Sequence, residues 1–119
     1  MSDPDQGATT PEEITRLFVD RANAGDADGL ADLYEEDAVV AFPPGRVTTG
    51  RAAIRELYGQ MLAGSPHFEY EESLPTLSVG DIALTATPSR DGKGTRVQVV
   101  RRQADGTWRR LIDRPEATS

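Results

Sequence analysis

The stretch that decides the fold begins Asn23-Ala24-Gly25-Asp26-Ala27-Asp28-Gly29-Leu30 and continues, after Ala31-Asp32, as Leu33-Tyr34-Glu35-Glu36-Asp37-Ala38-Val39-Val40. Gly25 stands where a helix ends on a left-handed residue. Asp26 follows as the cap of a second, shorter helix that carries Leu30, Leu33 and Tyr34 on one side and closes near the acidic run Glu35-Glu36-Asp37. From Ala38 to Phe42 the chain is apolar and β-branched, the texture of a strand, and Pro43-Pro44-Gly45 stops it with two residues that donate nothing to a ladder and one that turns freely.

Upstream, Thr10-Pro11-Glu12-Glu13 reads as an N-cap, a proline at the first helical position and a glutamate placed to close a capping box. Ile14, Leu17, Phe18 and Ala22 then recur at helical spacing, so the first helix spans Pro11 to Ala24. Residues 1–9 are polar and expected to be a disordered arm. Downstream, Arg46 to Thr49 suits a short strand. Gly50 opens a third helix marked by Ile54, Leu57, Tyr58, Met61 and Leu62 and closed by Gly64, Ser65 and Pro66.

Beyond His67 the texture is β: Phe68–Leu74, Thr76–Val79, Ile82–Pro88, Thr95–Arg102 and Thr107–Asp113. Gly80-Asp81, Asp91-Gly92 and Asp105-Gly106 mark the turns of an antiparallel meander. The reading is one α+β domain over residues 10–115 with a tail at 116–119.

Composition narrows the function classes. The 119 residues hold no cysteine and a single histidine, His67, so disulfides, thiolate chemistry and a zinc or copper site are not expected; a carboxylate-only magnesium or calcium site stays open, though no EF-hand spacing supports one. The net charge of −7 opposes nucleic acid and anionic lipid. It is concentrated in residues 1–60, with 12 acidic against 5 basic groups, while the rest is balanced and holds local positive charge. No apolar run reaches the length of a membrane span and Met1 to Thr10 is not a signal peptide, so the expected location is cytoplasmic.

The phrase from Asn23 to Val40 resembles the "GD, helix, aromatic, DDA, strand" text of the NTF2-like superfamily, in its SnoaL-like and ketosteroid-isomerase-like branch. Thr49-Gly50-Arg51-Ala52-Ala53-Ile54-Arg55 is similar to that family's "G-x-x-A-I" helix start, and Asp105-Gly106-Thr107-Trp108-Arg109 with Ile112-Asp113 to its closing hairpin. The resemblance implies a cone of three N-terminal helices packed on a strongly curved, mixed or antiparallel sheet enclosing one pocket. It also implies a hydrophobic small-molecule ligand and a homodimer paired through the outer sheet face. It does not imply ketosteroid isomerisation. The position of that family's oxyanion tyrosine reads Phe18, and that of its general base reads Phe42.

Two function classes remain: a cofactor-independent isomerase, cyclase or dehydratase working by general acid–base catalysis, or a non-catalytic ligand-binding or dimeric assembly module. Phe18, Phe42, Tyr58, Met61, Val100 and Leu111 are the expected apolar contacts to a ligand. Tyr34, Tyr58 and Trp108 each carry a polar handle and suit either the core or the pocket. His67 is a solvated loop residue or a base. Gly92-Lys93-Gly94-Thr95 lacks the context of a phosphate loop and reads as a turn.

With Asp105-Gly106 as a two-residue turn, Arg102 faces Arg109, Arg101 faces Arg110, Val100 faces Leu111 and Gln98 faces Asp113. Alternation then puts Arg102, Arg109, Val100, Leu111, Gln98 and Asp113 on one face, and Trp108, Val97, Val99 and Ile112 on the other. Periodicity leaves open which face meets the helices. The opposed arginines need the chain's own carboxylates, a dimer partner or an anionic ligand near Arg102 and Arg109 to offset them. Asp113 is either an exposed strand-end carboxylate or an inward one whose apolar surroundings raise its pKa for acid–base work. On the second reading Gln98 and Tyr34 hold a substrate oxygen.

Overall fold

The structure, a computed structural model, describes residues 7–89, 92 and 94–115. Helices α1 (Pro11–Asn23), α2 (Ala27–Ala31) and α3 (Arg51–Leu62) pack on a curved, mixed six-stranded sheet. Its strands are β1 (Tyr34–Val40), β2 (Thr48–Thr49), β3 (Leu77–Val79), β4 (Ile82–Pro88), β5 (Thr95–Arg102) and β6 (Trp108–Arg114), in spatial order β2-β1-β6-β5-β4-β3. Neighbours run antiparallel except β1 and β6, which are parallel.

The start of α1 follows its sequence signal with one shift. Thr10 Oγ1 accepts from Glu13 N at 3.2 Å, while the Glu13 carboxylate reaches one residue further back, to Thr9 N at 2.7 Å. Caps of this kind contribute about 1 kcal/mol. At the other end Gly25 adopts φ +71°, Gly25 N donates to Ala22 O and Asp26 N to Arg21 O, the two bonds of a Schellman ending. Asp26 then caps α2 through Gly29 N at 2.9 Å. A Cβ on Gly29 would lie 2.2 Å from Asp26 Oδ2, so any larger residue there must displace the capping side chain.

Four expectations need correction. Tyr34 opens β1 instead of riding on the second helix, because α2 closes at Ala31 and Arg110 N takes the Leu33 carbonyl at 2.7 Å. Residues 68–74 form no strand: their polar alternation finds no partner row, and they meet β4 through Leu74 N to Ala86 O and Ser73 Oγ to Thr87 Oγ1. The end of the expected arm is packed, with Ala8 fully buried and its carbonyl accepting from Trp108 N. Residues 1–6, the 116–119 tail, and Asp91 and Lys93 of the expected turn lie outside the described residues.

The fourth correction decides the site. The last hairpin closes through Gln103 N to Thr107 O, leaving three loop residues with Gly106 at φ +88°, so Arg102 faces Trp108, Arg101 faces Arg109 and Val100 faces Arg110. Leu111 is an extra residue: beyond it Val99 faces Ile112 and Gln98 faces Asp113, the register anticipated for the base of the hairpin. Such a bulge exchanges the faces of the strand on its two sides. Trp108, Arg110 and Asp113 all turn inward and are buried, while Ile112 is exposed.

The core gathers Ile14, Ala22, Leu30, Leu33, Tyr34, Ala38, Val40, Ile54, Tyr58, Val100 and Trp108, with Phe18, Phe42, Met61 and Phe68 against it. Opposite it, Leu77, Val79, Ile82, Leu84 and Ile112 are exposed. Trp108, which strict alternation grouped with Ile112, is not part of it.

Candidate functional site

Between α1, α3 and the inner sheet face lies a cavity of about 440 Å³. Phe18 and Val19 reach it from α1, Tyr58 and Met61 from α3, and Phe42 from the end of β1. Phe68, from the segment after α3, completes the aromatic side, its ring edge-on to Phe18 at 6.0 Å. Gln98, Arg110 and Asp113 line its polar side, and Arg96, Glu71, His67 and Glu69 stand around it, Arg96 ion-paired with Glu71 and His67 hydrogen-bonded to Glu69.

The polar side is a closed network. Tyr34 Oη donates to Asp113 Oδ2 at 2.6 Å and lies 2.8 Å from Tyr58 Oη. Since the Tyr34 proton is committed to the carboxylate, Tyr58 donates to Tyr34. Arg110 Nη1 donates to the same Tyr34 oxygen at 3.1 Å and lies 3.5 Å from Asp113 Oδ2. Gln98 Nε2 donates to Asp113 Oδ1 at 3.1 Å, and its own carbonyl accepts from Thr85 Oγ1 at 2.8 Å.

Arg110 and Asp113 are an ion pair at 5% and 2% exposure, so their charges are paid for almost wholly by one another and by these hydroxyls and amide. Burial, with the Asp113 charge next, pushes the Tyr34 hydroxyl well above its ordinary value; the same causes raise Tyr58. Burial alone would lower the Arg110 guanidinium, but its Tyr34 and Asp113 neighbours outweigh that and hold it above its usual range. The guanidinium also stacks 5.0 Å from the Phe18 ring and 5.7 Å from that of Tyr34.

Of the anticipated residues, Phe18, Phe42, Tyr58, Met61, Gln98 and Asp113 line the cavity. Tyr34 lies behind Asp113 and Tyr58 without lining it. Val100 is core. Leu111 is the bulge residue and does not line the cavity. Arg102 and Arg109 do not line it either: Arg102 pairs with Asp81 and stacks on Trp108, and Arg109 stands opposite Arg101, whose charge Glu35 takes through two hydrogen bonds. The surroundings of Asp113 are hydrogen-bonding groups and a cation, not the apolar shell expected for it. Arg110 was the residue missed. Strict alternation put it on the face opposite Asp113, and only the bulge brings the two to one side. Among the described residues no group of three His, Cys, Asp or Glu side chains could hold a metal ion, and no helix is long and apolar enough to cross a membrane.

The SnoaL-like domain family matches residues 15–111. Among solved structures, a candidate calcium/calmodulin-dependent protein kinase type II association domain from Thiobacillus denitrificans superposes with a TM-score of 0.74 at 18% identity, covering 95% of this chain and 98% of that one. A ketosteroid isomerase-like protein from Erwinia carotovora gives 0.70 at 15%, over 98% and 100%. A candidate dehydratase of the NTF2-like family from Streptomyces avermitilis gives 0.65 at 19%, over 87% and 89%. At such identities the likeness is one of fold, and the three descriptions differ from one another.

Proposed function

The chain belongs to the SnoaL-like domain family, and from that premise we propose that it binds a hydrophobic small molecule in the cavity and acts on it by cofactor-independent acid–base chemistry of the isomerase, cyclase or dehydratase type. The observation that carries this reading is Asp113: a carboxylate 2% exposed, on the wall of a cavity whose other side is aromatic. Replacing a buried ion pair by apolar residues is often neutral or stabilising, so this network is costly as mere packing. Asp113 is the proposed base. Tyr58, linked through Tyr34 to the same carboxylate, is the proposed hydroxyl against a substrate oxygen, its proton turning from Tyr34 to the substrate, and Gln98 fixes the carboxylate. Phe18, Phe42 and Met61 hold the apolar body.

The test is exchange of the α-protons of hydrophobic ketones with deuterated solvent, followed by NMR. Wild-type protein should catalyse exchange, and Asp113→Asn should lower it by about 100-fold or more with its amide spectrum kept. Ketones that bind without exchanging in wild type would move the protein to the second reading, a ligand carrier. One observation favours that reading: both Asp113 oxygens already accept hydrogen bonds, from Gln98 and Tyr34.

The reading includes a cytoplasmic homodimer without nucleic-acid or membrane partners. Leu77, Val79, Ile82, Leu84 and Ile112 offer the exposed apolar face it needs. Light scattering should give twice the chain mass at tens of micromolar, and Leu84→Asp with Ile112→Asp should give monomers.

A further inference from the structure

We propose that the ligand of the cavity is an apolar carboxylic acid, or an equivalent planar two-oxygen anion, gripped side-on by Nε and Nη2 of Arg110; this rests on reading the cavity as a ligand site. A guanidinium carries five N–H donors in a planar fork. The side-chain hydrogen bonds of Arg110 to described residues all leave from Nη1, toward Tyr34 and Asp113. Nε is buried and has no hydrogen-bond partner among the described residues.

An unpaired N–H of a buried cation is costly, and native interiors rarely leave one so. With Nη1 taken, the Nε–Nη2 edge is the one left to match two carboxylate oxygens at once. It belongs to a residue that lines the cavity and is packed against Phe18, so an acid held there would keep its apolar body among Phe18, Phe42, Met61 and Phe68.

Two of the neighbouring negative charges are already matched: Asp113 lies toward Nη1, at the other end of the fork, and Glu71 pairs with Arg96, while the exposed Glu69 is hydrogen-bonded to His67. The arginines of the hairpin tip supply no such edge inside: Arg101 is fixed on Glu35 and Arg102 on Asp81, and neither lines the cavity.

Benzoate and benzamide are the probes, having one ring, one shape and differing in charge. Titration into ¹⁵N-labelled protein should shift the Phe18, Met61 and Phe68 signals with both. Only benzoate should move the Arg110 Nε–H signal, and it should bind about tenfold more tightly. Arg110→Lys keeps a cation for Tyr34 and Asp113 but removes the fork, and should reduce the affinities to equality. Equal binding of both probes in wild type, or an unmoved Nε–H, overturns the carboxylate and leaves the cavity reading standing. No shift in the lining residues with either probe overturns both. If Arg110→Lys does not fold, the wild-type titration alone decides.

Discussion

Arg110 and Asp113 are three residues apart on one strand, yet both side chains point inward and meet at 3.5 Å. Regular pleating forbids this, since residues an odd number apart take opposite faces. The extra residue at Leu111 removes the conflict. The bulge is therefore what assembles the charged side of the cavity.

Arg110→Met should cost about 3–5 kcal/mol, because it strands the Asp113 charge in the interior. Adding Asp113→Leu to it should recover part of that loss, which urea titration of the single and double variants will show as a favourable coupling. Strictly additive losses would mean that the two charges do not depend on each other.

Tyr34→Phe should destabilise by about 1–3 kcal/mol, since it removes the oxygen on which Arg110, Tyr58 and Asp113 converge and leaves two donors and an acceptor without it. Tyr58→Phe removes one bond and should cost about 1 kcal/mol. Both hydroxyls titrate above their ordinary value of 10 in the fold. The unfolded chain releases these protons first, so the contribution is complete below pH 10 and declines as pH rises beyond it. Absorbance at 295 nm should show tyrosinate appearing together with unfolding.

The opposite sign holds at Glu35. Hydrogen bonds from Arg101, and then Gln103, hold its carboxyl below the usual 4.5. Its contribution is therefore complete above pH 4.5 and lost as pH falls below it. Glu35→Gln should flatten the stability profile in that acid range and leave neutral-pH thermal melts within about 1 kcal/mol of wild type. An unchanged acid limb would dissociate Glu35 from the pH dependence.

Gly50 sits at φ +95° and ψ 142°, a region essentially confined to glycine, and its added Cβ would meet nothing nearer than Glu36 O at 3.9 Å. Gly50→Ala should therefore cost about 1–3 kcal/mol through backbone strain alone. Gly50→Ser should do no better, despite the preference of helix N-caps for serine.

What was legible in the sequence was local. The Thr10 cap, the Gly25 ending and the β4 and β5 strands depend on neighbours within a few residues, and they lie where the pattern placed them. Phe18, Phe42, Tyr58 and Met61 line the cavity because amphipathic spacing aims them inward. Tyr34 was put on the wrong element since the pull that starts β1 comes from Arg110, 76 residues away. Arg110 itself was hidden by a one-residue insertion that periodicity does not register. The only hint was a leftover: opposing the hairpin arginines in strict pairs put two like-charged pairs face to face, which the three-residue loop and the bulge reduce to one, Arg101 opposite Arg109, with Glu35 on Arg101.

The parallel contact of β1 with β6 fixes an order of events at the ribosome. β6 sits between β1 and β5, so β1 has only the two-residue β2 beside it until the chain has been made as far as Arg114. During that interval its apolar residues and open edge are available to chaperones and to other nascent copies. Formation of the network is correspondingly late, because Tyr34 must wait for a carboxylate 79 residues behind it. A polypeptide released before Trp108 would therefore lack the strand that joins β1 to β5.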